Sequence, residues 1–160
     1  MKQNILDFLN DLEGYKTSCL SLHWGSNNMS EHNLFDEISS YIKATEDTIS
    51  EIAQGVYGQM SKEELKPNEK KITNPSTFVD DVLASTKTFY DSLDDSFDNI
   101  GMKSSTENFI AEMQKCKYLV KLAVKEKELK ENKSRIKMNS KQFEKYLAEC
   151  VTDVLKQIKK

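Results

Sequence analysis

Glycine and proline are scarce in this chain of 160 residues, five and two respectively, and so few breaker positions argue against an all-β or a disordered polypeptide. Charged residues at 31% and apolar ones at 38% point instead to a mostly helical soluble protein. Cysteine is nearly as rare. Cys19, Cys116 and Cys150 are odd in number, widely spaced and without a C-x-x-C pair, which excludes a disulfide framework or zinc ribbon and leaves core thiols. Only two histidines exist, His23 and His32, too few for a histidine-rich mononuclear catalytic centre. There is no Gly-rich phosphate loop, no H-E-x-x-H and no Ser/His/Asp pattern, so hydrolase chemistry has no support. No apolar run approaches the roughly 18 residues of a membrane span. The segment MKQNILDFLNDLEG carries acids where a secretory signal needs an unbroken apolar core, so the expectation is a cytoplasmic protein with no membrane partner.

What is present is helical periodicity. A first helix is expected from Lys2 to Trp24, with Ile5, Leu9, Leu12, Tyr15, Cys19 and Leu22 inward and Gly14 as a local weak point. Gly25 to Asn28 is turn chemistry; Ser30 is the expected cap of a second helix that ends at Tyr57 before Gly58. Met60 to Asn74 is polar, contains Pro67, and reads as a long crossover with a short helix near Lys62 to Leu65. A third helix is expected from Pro75, with Phe78, Val82, Phe89, Leu93, Phe97 and Ile100 inward, ending at Gly101. Ser104-x-x-Glu107 is a capping box for a fourth, whose face is Phe109, Met113, Cys116, Val120 and Val124. The fold class is therefore all-α, a four-helix bundle over residues 1–125. Residues 126–160 form a Lys-rich linker and an additional amphipathic helix with Phe143, Leu147, Cys150, Val151, Val154 and Ile158.

The second helix carries the candidate chemistry. At about 100° per residue, His32, Asp36, Asp47 and Glu51 fall within roughly a 100° arc opposite the apolar stripe, and Lys43 lies among them. Asp47 stands about 16 Å further along the axis than Asp36, so one chain cannot gather all four around one metal. Two antiparallel copies across a two-fold axis could: His32 and Asp36 of one would face Asp47 and Glu51 of the other, making two equivalent half-and-half sites. Imidazole plus carboxylates suits iron, with open positions for oxygen or peroxide.

The stretch HW-x6-EHNLFDEISSYIKATEDTISEIAQGVYG resembles the signature of the Dps family, the mini-ferritins named for DNA protection during starvation. There a His-Trp pair closes the first helix and H-x3-D-x10-D-x3-E runs along the second. The resemblance implies a ferritin-like bundle with a long crossover between helices 2 and 3. It implies a homo-oligomeric shell, a dodecamer, with ferroxidase sites shared across two-fold interfaces. Fe(II) would be oxidised there by hydrogen peroxide or oxygen and stored as ferric iron, protecting DNA from oxidative damage. His23, His32, Asp36, Asp47 and Glu51 would be the metal ligands and Trp24 an electron donor, with a plain core tryptophan as the alternative. His23 and His32 stand closer in sequence than is usual in that family, and Ile52 replaces its usual basic residue, so a catalytically degenerate structural scaffold is the competing expectation.

Charge is divided unevenly. Residues 1–120 hold 11 Lys and no Arg against 20 Asp and Glu, or −9; residues 121–160 hold 12 Lys and Arg against 6, or +6, which sum to −3. The basic C-terminal region could touch nucleic acid phosphates, but interleaved Glu126, Glu128 and Glu131 and the acidic remainder leave at most weak DNA binding.

Overall fold

A computed structural model describes residues 2–61, 63–70, 72 and 74–125, and all regular structure among them is helical. The chain divides into two compact units, Met1–Ala123 and Val124–Lys160, of which the first builds the bundle. The expected C-terminal helix with Phe143 to Ile158, and Cys150 with it, lies outside the described residues. Helix α1 is Lys2–Gly25, α2 is Met29–Tyr57 and α3 is Pro75–Ser92. After a single 3-10 turn at Phe97–Asn99, α4 runs from 100 to 125, where the described residues end.

Each helix packs antiparallel on its neighbours. On the α1/α2 side, Lys16 pairs with Glu46 at 2.9 Å and the Cys19 thiol donates to the Phe35 carbonyl at 3.0 Å. Between α1 and α3, Phe8 stacks on Phe89 at 4.1 Å and the Tyr15 hydroxyl donates to the Asp81 carbonyl at 3.0 Å. Tyr90 donates to Glu107 at 2.6 Å, and Lys117 pairs with Asp80, joining α3 to α4. Gly101 of α4 abuts Ile52 of α2, closing the ring. Opposite directions around the ring make α2 and α3 parallel, so the chain must cross the length of the bundle between them.

That crossover is laid along α1. Glu64 pairs with Lys2 at 3.1 Å, and the Asn68 amide N–H donates to the Asn10 carbonyl at 3.0 Å. Lys70 pairs with Asp11 at 2.8 Å, and the Ser18 hydroxyl donates to the Lys70 carbonyl. Gly14 is the notch that admits it: a Cβ there would lie 1.9 Å from the Asn68 carbonyl oxygen. What reads as a weak helix position is thus a close approach of two backbones. Of the expected short helix near Lys62 to Leu65, Lys62 lies outside the described residues, and residues 63–64 form a turn, with Glu64 N–H donating to the Ser61 carbonyl at 3.1 Å.

The expected apolar face of α1 is buried, Ile5, Leu12 and Cys19 completely; of the face expected for α2, Leu34, Phe35, Ile38, Ile42 and Ile49 are buried, whereas Ile52 is half-buried and Val56 is exposed. Three boundaries differ. Asn28, not Ser30, caps α2, its side-chain oxygen accepting from Glu31 N–H at 2.8 Å, so that the helix starts sooner. Helix α3 ends at Ser92, because Asp94 accepts from Ser96 N–H at 3.0 Å and Asn99 Nδ2 at 2.7 Å, folding the chain into a turn before Phe97. Phe97 and Ile100 are consequently exposed, not core. The capping box at Ser104 also fails: α4 is already helical at 100, and Glu107 accepts from Tyr90 instead.

Candidate metal centre

The hairpin between α1 and α2 sets the geometry. Gly25 ends one helix and Met29 begins the next, so His23 and His32 stand one turn in from the two facing helix ends. Their rings stack, with centroids 3.8 Å apart and planes tilted by 31°. His23 Nδ1 is 3.0 Å from the His32 carbonyl oxygen and His32 Nδ1 is 3.2 Å from the His23 carbonyl oxygen. A carbonyl only accepts, so each Nδ1 donates, and in the neutral ring the lone pair is left on Nε2. Ring nitrogens held by backbone carbonyls in this way are the usual outer support of a metal-ligating histidine. The close sequence spacing of the two histidines is what lets them meet.

Asp36 follows His32 by one turn on the exposed side of α2, and Lys43, Asp47 and Glu51 are exposed along the same stripe. None of these four makes an ion pair with a described residue, whereas neighbouring Glu46 is drawn the other way. It accepts from Lys16 at 2.9 Å, and Lys16 also bonds Glu13. Burial, together with the Glu13 carboxylate beside it, holds the Glu46 carboxyl above the usual range against the pull of Lys16. The i, i+1 step from Glu46 to Asp47 therefore separates an acid committed to the α1/α2 seam from one left facing outward.

The structure brings together His23 and His32, with Asp36 one turn on from His32, but leaves Asp47 about three turns and Glu51 about four turns beyond Asp36. Among the described residues no group of three or more His, Cys, Asp or Glu side chains is close enough to hold a metal ion within one chain. Trp24 is 75% exposed, which removes the core reading of that residue. Sequence reasoning passed over Met29, 71% exposed and three positions before His32; its i, i+3 spacing to that histidine was the available signal. Leu20, one turn before Trp24 on α1, is also exposed.

The remaining reactive groups are sealed. Burial, with Cys116 nearby, pushes the Cys19 thiol up to about 12, and burial pushes Cys116 up to about 11, so neither ionises near neutrality. A groove of about 710 Å³ between α1, α3 and the crossover is lined by Asp7, Phe8, Asp11, Tyr15, Lys70 and Asp81, among others, and lies apart from the histidines. No family model matches the chain, and neither does any characterised protein or solved structure.

Proposed function

We propose that the chain is a Dps-like mini-ferritin that oxidises Fe(II) at sites shared between two copies and stores the ferric product in a homo-oligomeric shell. One observation carries the reading: an outward α2 stripe of His32, Asp36, Asp47 and Glu51, with the two histidine rings supported through Nδ1, which in the neutral ring leaves the lone pair on Nε2. The parallel α2 and α3 with their long crossover suit a ferritin-like bundle. Exposed Leu20, Trp24 and Met29 beside the stripe suit burial against a second copy. Iron is here the substrate. His32 and Asp36 of one chain, Asp47 and Glu51 of its mate, and His23 as a fifth ligand would hold it. Two Fe(II) ions each give up one electron to one hydrogen peroxide, which takes up two protons and leaves as two waters. Trp24, exposed and next to His23 in the chain, would be an electron donor that absorbs stray oxidising equivalents. Protection of DNA would follow from removing both reactants that make hydroxyl radical.

Two measurements test this reading. Light scattering should give a mass many times that of one chain; a stable monomer at micromolar concentration would rule out the shared site. Asp47→Asn and Glu51→Gln should leave the oligomer assembled yet slow Fe(II) oxidation, because each swaps an anionic oxygen ligand for a neutral amide of similar shape. Mixing His32→Ala with Glu51→Gln subunits should restore part of the activity, since shuffled dimers pair both defects at one site and spare the other.

A scaffold that keeps the shell without turnover is the second reading. Exposed Lys43, on the stripe between Asp36 and Asp47, favours it by offering an ammonium where a cation would bind. Unchanged iron oxidation in all three single variants would select it.

A further inference from the structure

We propose that copies of this chain join head to tail, the exposed knob of Phe97 and Ile100 on one copy seating on the outer face of α4 at Tyr118, Leu119 and Leu122 of the next. The two surfaces stand about 30 Å apart along α4, so the contact cannot close within one chain. It does not rest on the iron reading, whose shared site lies on α2.

The knob is held by the turn that follows α3. Phe97 is 87% exposed and Ile100 57%. Ser96 N–H and Asn99 Nδ2 both donate to the Asp94 carboxylate, and buried Asn99 accepts from the Tyr57 hydroxyl at 3.0 Å. The Ile100 N–H donates to the Phe97 carbonyl, and in a 3-10 turn residues three apart lie one above the other. The chain thus commits a buried asparagine to presenting two apolar side chains on a fixed backbone. Little freedom is lost when they are covered, and a lone aromatic on such a support is the usual anchor of an interface.

The receiving face is on the last turns of α4. Tyr118 and Leu122 are four residues apart and Leu119 and Leu122 three, so the trio shares one side of the helix, and all three are exposed. Charge selects the pairing. Residues 91–103 carry four aspartates and one lysine, and residues 113–123 carry three lysines and no acid. Within the chain Asp91 pairs with Lys87, Asp95 with Lys103, Lys117 with Asp80, and Lys115 with Glu112 at 2.6 Å. Asp98 beside the knob and Lys121 beside the trio are exposed and make no ion pair with a described residue. Two knobs would repel each other, as would two α4 faces; knob on face is the attractive combination. A contact between two different surfaces leaves one of each free on every pair, so it propagates until a ring closes, whereas a two-fold contact by itself stops at a dimer.

The test uses the full-length chain with Cys150→Ser, which leaves only the buried thiols Cys19 and Cys116. Chains carrying Phe97→Cys and chains carrying Leu122→Cys are mixed and mildly oxidised. Cross-links should join unlike chains, and neither variant alone should cross-link. In sedimentation, Phe97→Ser should weaken association by about tenfold or more, as truncating an interface anchor does. Asp98→Lys and Lys121→Glu should each weaken it by about threefold or more, and the two in one chain should regain it, a rescue that unrelated surface changes would not give. Undiminished association in Phe97→Ser, no regain in the double variant, or no cross-link would each overturn the proposal. Cross-links among Phe97→Cys chains alone would overturn it too, in favour of knob against knob. Asp47→Asn with Glu51→Gln should leave the cross-link in place, so iron oxidation that fails to slow in that variant would strike the iron reading alone.

Discussion

The seam between α1 and the crossover and the outer stripe of α2 are both built from acids and lysines, yet the fold treats them oppositely. Along the seam Asp11 is tied to Lys70 at 2.8 Å, to Asn68 Nδ2 at 2.7 Å and to the Ser85 hydroxyl at 2.7 Å. Glu64 of the crossover holds Lys2, while at the α1/α2 seam Lys16 holds Glu13 and Glu46. Along α2, Asp36, Lys43, Asp47 and Glu51 face outward without an ion pair to a described residue. Charges in the seam locate a chain segment that has almost no apolar side chains of its own to dock with. Charges on the stripe form no ion pair with a described residue.

The comparison rests on the core beneath both regions, and the largest loss is expected there. Ile42→Ala, at a position with no exposure, should lower the unfolding free energy by about 2 to 5 kcal/mol in a denaturant melt, through lost burial and the cavity left behind. Gly14→Ala comes next and carries the sharper sign. Helix propensity alone would favour alanine by about 1 kcal/mol. The Asn68 carbonyl, 1.9 Å from the new Cβ, is backbone and must move, so a net destabilisation of about 1 to 3 kcal/mol is expected. A stabilised variant would show that the crossover is not seated on α1.

Acidification separates the two regions again. Burial raises the Asp11 carboxyl, but its bonds to Lys70, Asn68 and Ser85 outweigh it and hold the group below the ordinary carboxylate range. A depressed folded value contributes stability that is present above the ordinary range and is lost as pH falls through the depressed one. Thermal melts should therefore weaken on acidification in that range, and Asp11→Asn should flatten this dependence while costing about 1 kcal/mol at neutral pH. The smallest effect belongs to the stripe: Asp47→Asn should change stability by less than about 0.5 kcal/mol, since its carboxylate holds no described group in place. A loss as large as that of Asp11→Asn would make the stripe structural and erase the contrast.

Four helices, the inward face of α1, that of α2 as far as Ile49, the Pro75 start of α3 and the outward stripe were legible in the sequence, because helical periodicity and caps are local properties of a few consecutive residues. Where α3 stops was not, since Phe97 and Ile100 keep the helical spacing and only the Asp94 turn, stabilised by Asn99 and Tyr57, takes them out of the core. Nor could the sequence distinguish Glu46 from Asp47 as seam and stripe, or turn Gly14 from a weak point into a notch, because both depend on what another segment brings alongside. The stacking of His23 on His32 is of the same kind: the short turn permits it, but only two helices packed antiparallel put each ring against the other's carbonyl. Residue spacing determined which side chains could share a face; the packing of one helix on the next decided which of them were spent on the fold and which were left facing outward.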